Sequence, residues 1–318
     1  MTAPVIGLER PRLEPGSVEW ATGFITASKV PGIFNATKHS SPTKEFYLLR
    51  GEVPPDEEND AMVRGTELEP GILSWFFRDH PQFERIGTKT FVRPGLEEWA
   101  AANPDDIAVC VDTLEAFGVE AKTDGRGDYQ WGKPGTDQVP LGYYLQVQWQ
   151  MHMSGHRRTY VTKLGPFLER DDYIVDYDAE LAASMEVQLH AFWLNAKDPN
   201  GKPPELDGKV HTYDAIRRAH PEIEQHLDWP ISLELAHEFE DALEAAEAAE
   251  EHVNLVKSKI LRVMGNARRA IVGNPKKPQV VGNRQPTKKG VALYKMRNPI
   301  QWDEVDKYNA SIAPDQAA

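Results

Sequence analysis

One cysteine, Cys110, stands among 318 residues, which excludes an intrachain disulfide and a cysteine zinc site. It lies in the apolar stretch Ile107–Val111 and reads as a small core residue. No apolar run reaches the length of a membrane span, and the opening MTAPVIGLERPRLEPG has no signal-peptide hydrophobic region. Positive charge is scarce: 36 Lys and Arg against 49 Asp and Glu give a net charge of −13, which argues against a non-specific polyanion binder. No internal repeat is visible. These absences lead us to expect a cytoplasmic protein without a membrane partner.

What is present sets the scale. Apolar residues make up 40% of the chain, enough for a sizeable core in one large domain with additions, or in two domains. Charge is unevenly distributed. Glu234 to Glu251 is strongly acidic and Lys257 to Arg297 is rich in Lys and Arg, so nucleic-acid binding stays open.

Residues 1–16, with three prolines, read as an irregular arm. Thr26 or Ser28 could cap a helix start and leave backbone N–H groups for an anion; simple capping is the other reading. Helical spacing is expected over Thr43–Gly51 and from Asp60 to about Phe77. Glu69 precedes Ile72, Leu73 and Phe76 on the apolar face, so its carboxylate is either functional or paired. Pro70 predicts a kink or a late start. A strand is expected over Gly87–Val92, and a polar loop over Asp124–Gln138.

Ile107–Val111 and Gly118–Lys122 predict a tight β-hairpin. Alternation puts Glu120 and Lys122 on one face, with Asp112 expected close by at the end of the neighbouring strand. Such a patch is either an exposed edge of mixed charge or two carboxylates holding a divalent metal beside a lysine. A helix then spans Val139–Ser154, with Tyr144, Val147 and Met151 toward a core. Gln146, Gln148 and Gln150 mark a solvated side, or in Gln146 a polar contact. A strand over Thr159–Leu164 completes an α/β or α+β core around a mixed sheet.

Asp178–Asn195 reads as an amphipathic helix whose Phe192 and Trp193 pack, and Lys197–Gly208 as a linker. After Tyr213–His220 comes a long Ala/Glu-rich helix, Ser232 to about Met264. Leu235, Phe239, Ala242, Ala246, Ala249, Val253, Val256 and Ile260 trace its stripe, suited to a partner helix, the core or another subunit. Strands follow near Gln279–Val281 and Val291–Met296, then a polar, Ala-rich end.

The ordered set resembles the phage-type recombination exonucleases of the YqaJ/lambda-exonuclease family, within the PD-(D/E)XK nuclease superfamily. Gly23-Phe-Ile-Thr-Ala-Ser28 resembles the family's G-x-[IV]-T-A-S, and Arg64-Gly65-Thr-Glu-Leu-Glu69 its R-G-x-x-x-E. Asp112, Glu120 and Lys122 resemble D…E-x-K; Val139-Pro140 with Tyr143 and Gln146-Val-Gln148 resembles V-P-x-x-Y-x-x-Q-x-Q. Phe192-Trp193 is similar to the family's F-W before a Pro-containing linker. The likeness covers roughly residues 17–200. It divides the chain into an arm (1–16), a nuclease core (17–200) and a C-terminal extension with a long helix and basic tail (201–318). The resemblance implies a PD-(D/E)XK restriction-endonuclease-like α/β core, its mixed central sheet flanked by helices.

It also implies chemistry. Asp112, Glu120, the carbonyl of Ala121 and Glu69 would hold Mg²⁺, with Mn²⁺ able to substitute. Lys122 would orient or help deprotonate the attacking water, Gln146 would steady it or the phosphate, and Thr26, Ala27, Ser28, Lys29, Arg64 and Tyr143 would contact DNA. The activity implied is exonucleolytic digestion of double-stranded DNA ends, 5′-to-3′, by a ring-shaped homo-oligomer, often a trimer. A phage single-strand annealing protein is the implied partner, in the cytoplasm of a bacterial host. Two departures stand out. The usual Pro-Asp-Gly is Val111-Asp112-Thr113, and Ala21 and Thr22 replace the Arg that several relatives use to hold a 5′-phosphate; Lys29, Lys38 or Arg64 would substitute. Alternatives are an endonuclease or Cas4-like nuclease, the latter disfavoured because one cysteine cannot hold an iron–sulfur cluster. A rival from another class is a non-catalytic DNA-binding subunit in which the acidic helix is the working part.

Overall fold

The computed structural model describes residues 7–11, 13–14, 16–125, 130–288, 290–296 and 300–312. Residues 1–6 of the arm, 126–129 of the polar loop and the Ala-rich end therefore lie outside the described residues. The chain divides into two compact units, one up to Ile223 and one from Glu224 onward.

In the first unit, β1 (Leu8–Arg10) pairs with a later strand, so the arm is not irregular throughout. A π-helical turn, Glu19–Gly23, leads into β2 (Ile25–Thr26), the single-turn α1 (Val30–Ile33) and α2 (Pro42–Arg50). The Ser41 side chain caps α2, and Gly51, at φ 71°, ends it in the left-handed conformation glycine adopts freely. α3 (Asp60–Asp79) is capped by Asn59 and continues through Pro70 rather than starting late there. β3 (Phe83–Arg85), β4 (Thr90–Val92), β5 (Ala100–Ala101), β6 (Asp106–Cys110) and β7 (Ala116–Thr123) follow. The strand expected over Gly87–Val92 is the shorter β4, paired with β1, while β2 pairs with β5. Then come α4 (Leu141–Ser154), β8 (Arg158–Leu164), β9 (Arg170–Asp176), α5 (Ala179–Lys197) and α6 (Val210–Ala219).

The central sheet is mixed, in the order β3-β6-β7-β8-β9, with only β7 and β8 parallel. A parallel pair needs a crossover, and α4 supplies it. Strand alternation sorts the side chains by face. Ala108, Phe117 and Val119 pack with Leu73 and Phe76 of α3 on one side. Ile107 joins Leu145 and Trp149 of α4 and Met185 and Leu189 of α5 on the other. Helices thus flank both faces, as expected, and Glu120 and Lys122, alternating with Val119 and Ala121, face α4.

α4 is buried nearly all round because it is clamped between two clusters. Leu145, Trp149 and Met153 enter the one with α5, while Val147 and Met151 join Val161, Tyr173 and Val175. Half-buried Phe192 and Trp193 pack as anticipated. α6 follows the linker, yet it belongs to the first unit. Lys209 reaches the Thr37 carbonyl at 2.7 Å and Arg218 reaches Asp56 at 3.0 Å, which ties it to the flanks of α2.

The second unit holds α7 (Leu233–Met264), β10 (Arg269–Val272), β11 (Gln279–Thr287), β12 (Gly290–Lys295) and α8 (Trp302–Ile312). Ser232 caps α7, and its three strands form one antiparallel sheet in sequence order. α7 buries none of its residues within the chain, so its apolar stripe is not docked on a core. No helix of the described residues is long and apolar enough to cross a membrane.

Candidate active site

The β6–β7 hairpin centres the site, but not with the acid the spacing suggested. Asp106 pairs with Val119, so in an antiparallel ladder the residue level with Glu120 is Asp105, one position before β6. Asp105 Oδ2 accepts the Ala121 backbone N–H at 2.8 Å. Asp112 belongs to the exposed turn at the opposite end. Four residues of strand separate the start of β7 from Glu120, which puts Asp112 beyond about 13 Å from it along the ladder. The expectation of Asp112 beside Glu120 is therefore corrected. The end of one strand lies across from the start of the next, not from its middle. The Pro-Asp pair that the motif calls for is Pro104-Asp105.

Glu120 is 1% exposed and held from three sides. Lys122 Nζ donates to Oε1 at 2.5 Å, Gln146 Nε2 to the same oxygen at 2.6 Å, and Gln150 Nε2 to Oε2 at 2.8 Å. Gln150 also reaches the Asn103 carbonyl at 3.3 Å, which couples Glu120 to the segment presenting Asp105. Gln146 and Gln150 are one helical turn apart and share a face, whereas Gln148 turns away to the Asp176 carbonyl and the Asp178 N–H. The amide-rich stretch thus splits two to one. Gln150 was not singled out from the sequence, although its i+4 spacing from Gln146 was the available signal.

The electrostatics are those of crowded carboxylates. Burial, then the neighbouring Glu120, push the Asp105 carboxyl well above the usual range, with Glu69 adding to the rise and Lys122 opposing it. Burial alone would lower Lys122, but Glu120 and Asp105 more than offset it and hold the ammonium above the usual lysine range. Lys122 also sits over the Tyr143 ring, 5.1 Å from its centroid. A cavity of about 250 Å³ opens here, lined by Glu69, Asp105, Glu120, Lys122, Gln146 and Ser28 among others. Asp106, next in sequence, points elsewhere. It is fully buried against Arg85 and the Gly87 N–H, a structural ion pair.

The remaining expected contacts divide. Thr26 is buried, its hydroxyl 3.1 Å from that of Ser28, which is exposed beside Ala27 at the cavity. Neither caps a helix; Lys29 occupies that position before α1. Lys29 is turned inward as well, donating to the Phe24 carbonyl at 2.8 Å and to that of Trp20, and burial lowers its pKa to about 8. Its ammonium is thus taken up by two carbonyls, although the residue still lines the larger cleft. Arg64 lies exposed on α3. A larger cleft of about 1110 Å³ adjoins the cavity, sharing Trp20, Ser28, Lys122 and Gln146 and adding Lys38, Tyr143 and Lys209.

A divalent metal can be tested against these donors. Asp105, Glu120 and Glu69 are hard oxygen ligands, and the repulsion that raises Asp105 is what a dication would relieve. Among the described residues, no three His, Cys, Asp or Glu side chains already stand at metal-holding spacing. Mg²⁺ takes hard oxygen ligands, one or two of them carboxylates with waters completing the shell, and Asp105 and Glu120 supply that chemistry at the cavity. The donor set fits.

The arrangement gathers carboxylates, a lysine and an amide at one cavity beside a mixed sheet. Residues 18–157 match the model of the YqaJ-like viral recombinase domain, which is what this part of the chain is similar to. The match spans the TAS turn, α3, the hairpin and α4 and ends before β8. Among solved structures, similarity is found to an alkaline exonuclease, LHK-Exo, from Laribacter hongkongensis, at 19% identity and a TM-score of 0.41, covering 56% of this chain and 89% of that one. LHK-Exo in complex with dAMP gives 22%, 0.44, 57% and 93%. A phage related exonuclease from Haemophilus somnus 129PT gives 13%, 0.37, 56% and 95%. No curated protein matches the chain.

Proposed function

We propose that the first unit is a Mg²⁺-dependent deoxyribonuclease that digests one strand of a duplex DNA end, 5′-to-3′, leaving single-stranded DNA for phage recombination. The observation that carries this reading is the meeting of Asp105, Glu120 and Lys122 at one cavity inside the matched domain. Asp105, Glu120, the Ala121 carbonyl and, directly or through water, Glu69 would hold the ion. Bound there, Mg²⁺ would supply Lewis-acid polarisation of the phosphate and a lowered water pKa.

The chain's own residues do the rest. Gln146 and Gln150 fix both Glu120 oxygens, so the carboxylate is oriented before any ligand arrives. Lys122, protonated in this setting, orients the attacking water and neutralises charge growing on the phosphoryl oxygens. Water attacks phosphorus, the P–O3′ bond breaks, and the leaving 3′-oxygen takes up a proton. Ser28 offers its hydroxyl to a phosphate, while Lys38, Tyr143 and Lys209 line the cleft along which the strand would run. Arg64, with Lys38, stands in for the missing end-binding arginine. A ring of copies would reconcile an acidic exterior with a DNA-facing lumen, and a phage annealing protein would receive the exposed strand.

The test is a time course on end-labelled linear duplex with Mg²⁺, comparing 5′-phosphoryl and 5′-hydroxyl ends and covalently closed circles. Mononucleotides are expected from the 5′ end, none from circles, and none from Asp105→Ala or Lys122→Ala. Undiminished digestion by both variants would sink the assignment; cleavage of circles would make the enzyme an endonuclease.

A further inference from the structure

α7 keeps every residue unburied over 32 positions, yet its apolar side chains are not scattered. Leu235, Phe239, Ala242, Ala246, Ala249, Val253, Val256, Ile260 and Val263 follow one another in alternating steps of four and three. That is a period of 3.5, the seam of a two-helix coiled coil, narrower than the stripe a helix needs against a globular core. Phe239 is 62%, Val253 48% and Val263 89% exposed. The helix is about 48 Å long, and a continuous apolar seam of that length marks a contact surface. Ala242, Ala246 and Ala249 in its middle allow close approach of a second helix.

Charge selects both the partner and the direction. From Leu233 to Glu251 there are eight acidic residues and no Lys or Arg; from His252 to Met264 there are Lys257, Lys259 and Arg262 and no acid. Two copies side by side in parallel would set acid against acid. Two antiparallel copies set each acidic half against the other's basic half. With the crossing at Ala249, Leu235 faces Val263, Phe239 faces Ile260, Ala242 faces Val256 and Ala246 faces Val253. The flanking Glu238 then meets Lys259. We propose that α7 pairs antiparallel with α7 of a second copy of this chain, making the C-terminal extension an assembly device. This stands independently of the nuclease reading.

Cross-linking of the full chain, carrying Cys110→Ser to remove the native thiol, tests it. Ala249→Cys is expected to form an intermolecular disulfide under mild oxidation, Leu235→Cys alone is not, and Leu235→Cys with Val263→Cys is. Val253→Glu with Val256→Glu, which puts acid opposite the partner's acidic half, should halve the mass found by sedimentation equilibrium and abolish the Ala249→Cys cross-link. Both valines are partly exposed, so no core of the chain itself is lost. Leu235→Cys linking to itself would overturn the antiparallel arrangement. An Ala249→Cys chain that stays unlinked, with a mass the two glutamates leave unchanged, would overturn the pairing altogether.

Discussion

The two ends of the β6–β7 hairpin carry the same kinds of residue in opposite circumstances. At the open end Asp105 and Glu120 face each other beside Lys122, with Glu120 buried and Asp105 forced upward in pKa. At the turn Asp112 and Glu115 stand in water. Two like charges 4 Å apart repel by about 1 kcal/mol in water and about 4 kcal/mol in a half-buried setting. The turn can therefore tolerate its acids indefinitely, while the open end holds a standing repulsion that a dication would relieve. Depth along the ladder, not spacing in the sequence, separates a chemical acid from a decorative one.

The comparison breaks first, if it breaks, on a pair of substitutions. Asp105→Asn should lower Mg²⁺-dependent DNA digestion on the order of 10³-fold, several kcal/mol of lost charge stabilisation, whereas Asp112→Asn should leave the rate unchanged. Stability should move the other way. Asparagine at 105 still accepts the Ala121 N–H and removes a like charge from beside Glu120 and Glu69, so the chelator-treated variant should unfold at higher denaturant than wild type. An inactive Asp112→Asn with an active Asp105→Asn would reverse the assignment.

A second pair of buried groups sharpens the point, since Lys122 and Lys29 differ only in company. Carboxylates hold Lys122 up; at Lys29 burial outweighs the one carboxylate nearby, Glu45, and takes it down to about 8. Between pH 8 and 10.5 the unfolded chain thus binds a proton at Lys29 that the folded chain has released, so stability due to this group rises with pH across that window. Relative to Lys29→Met, wild type should gain about 3 kcal/mol over the window, read from denaturant midpoints at each pH. A flat difference would mean that Lys29 is solvated after all.

Next in size is Gln150, which acts on the site through Glu120 and the Asn103 carbonyl. Gln150→Ala should cost about 10- to 100-fold in activity, the range for losing a group that orients a metal ligand. It should also raise the Mg²⁺ concentration needed for half-maximal rate, which a purely structural loss would not do. Gln150→Glu should not rescue, because it sets a third acid against Glu120.

Much of this was legible beforehand, for physical reasons that also explain the misses. α3 and α4 carried apolar spacing strong enough to place both to within a few residues, and with them Glu69 and Gln146. Glu120 and Lys122 followed from alternation alone. Asp105 was passed over because Pro104-Asp105 precedes its strand, where no periodicity marks it, while Asp112 ends an apolar run that drew attention. The burial of Lys29 was not legible, because only the fold supplies the Trp20 and Phe24 carbonyls that its ammonium meets. α6 was placed with the extension because a Pro-rich linker precedes it, and a linker can return to the domain it leaves.

The smallest expected effect lies at the turn. Leu114 is 79% exposed and sits at φ 57°, the left-handed region that side chains other than Asn, Asp and Gly enter at a cost of about 1 kcal/mol or more. Its N–H donates to the Cys110 carbonyl at 2.8 Å, so the conformation is set by the turn's own ladder rather than by packing of the leucine. Leu114→Asn should accordingly stabilise the protein by about 0.5 to 1 kcal/mol in chemical denaturation, with DNA digestion unaltered. A leucine removed without gain would show that its side chain touches something in an assembly. A gain accompanied by lost activity would carry chemistry to the wrong end of the hairpin.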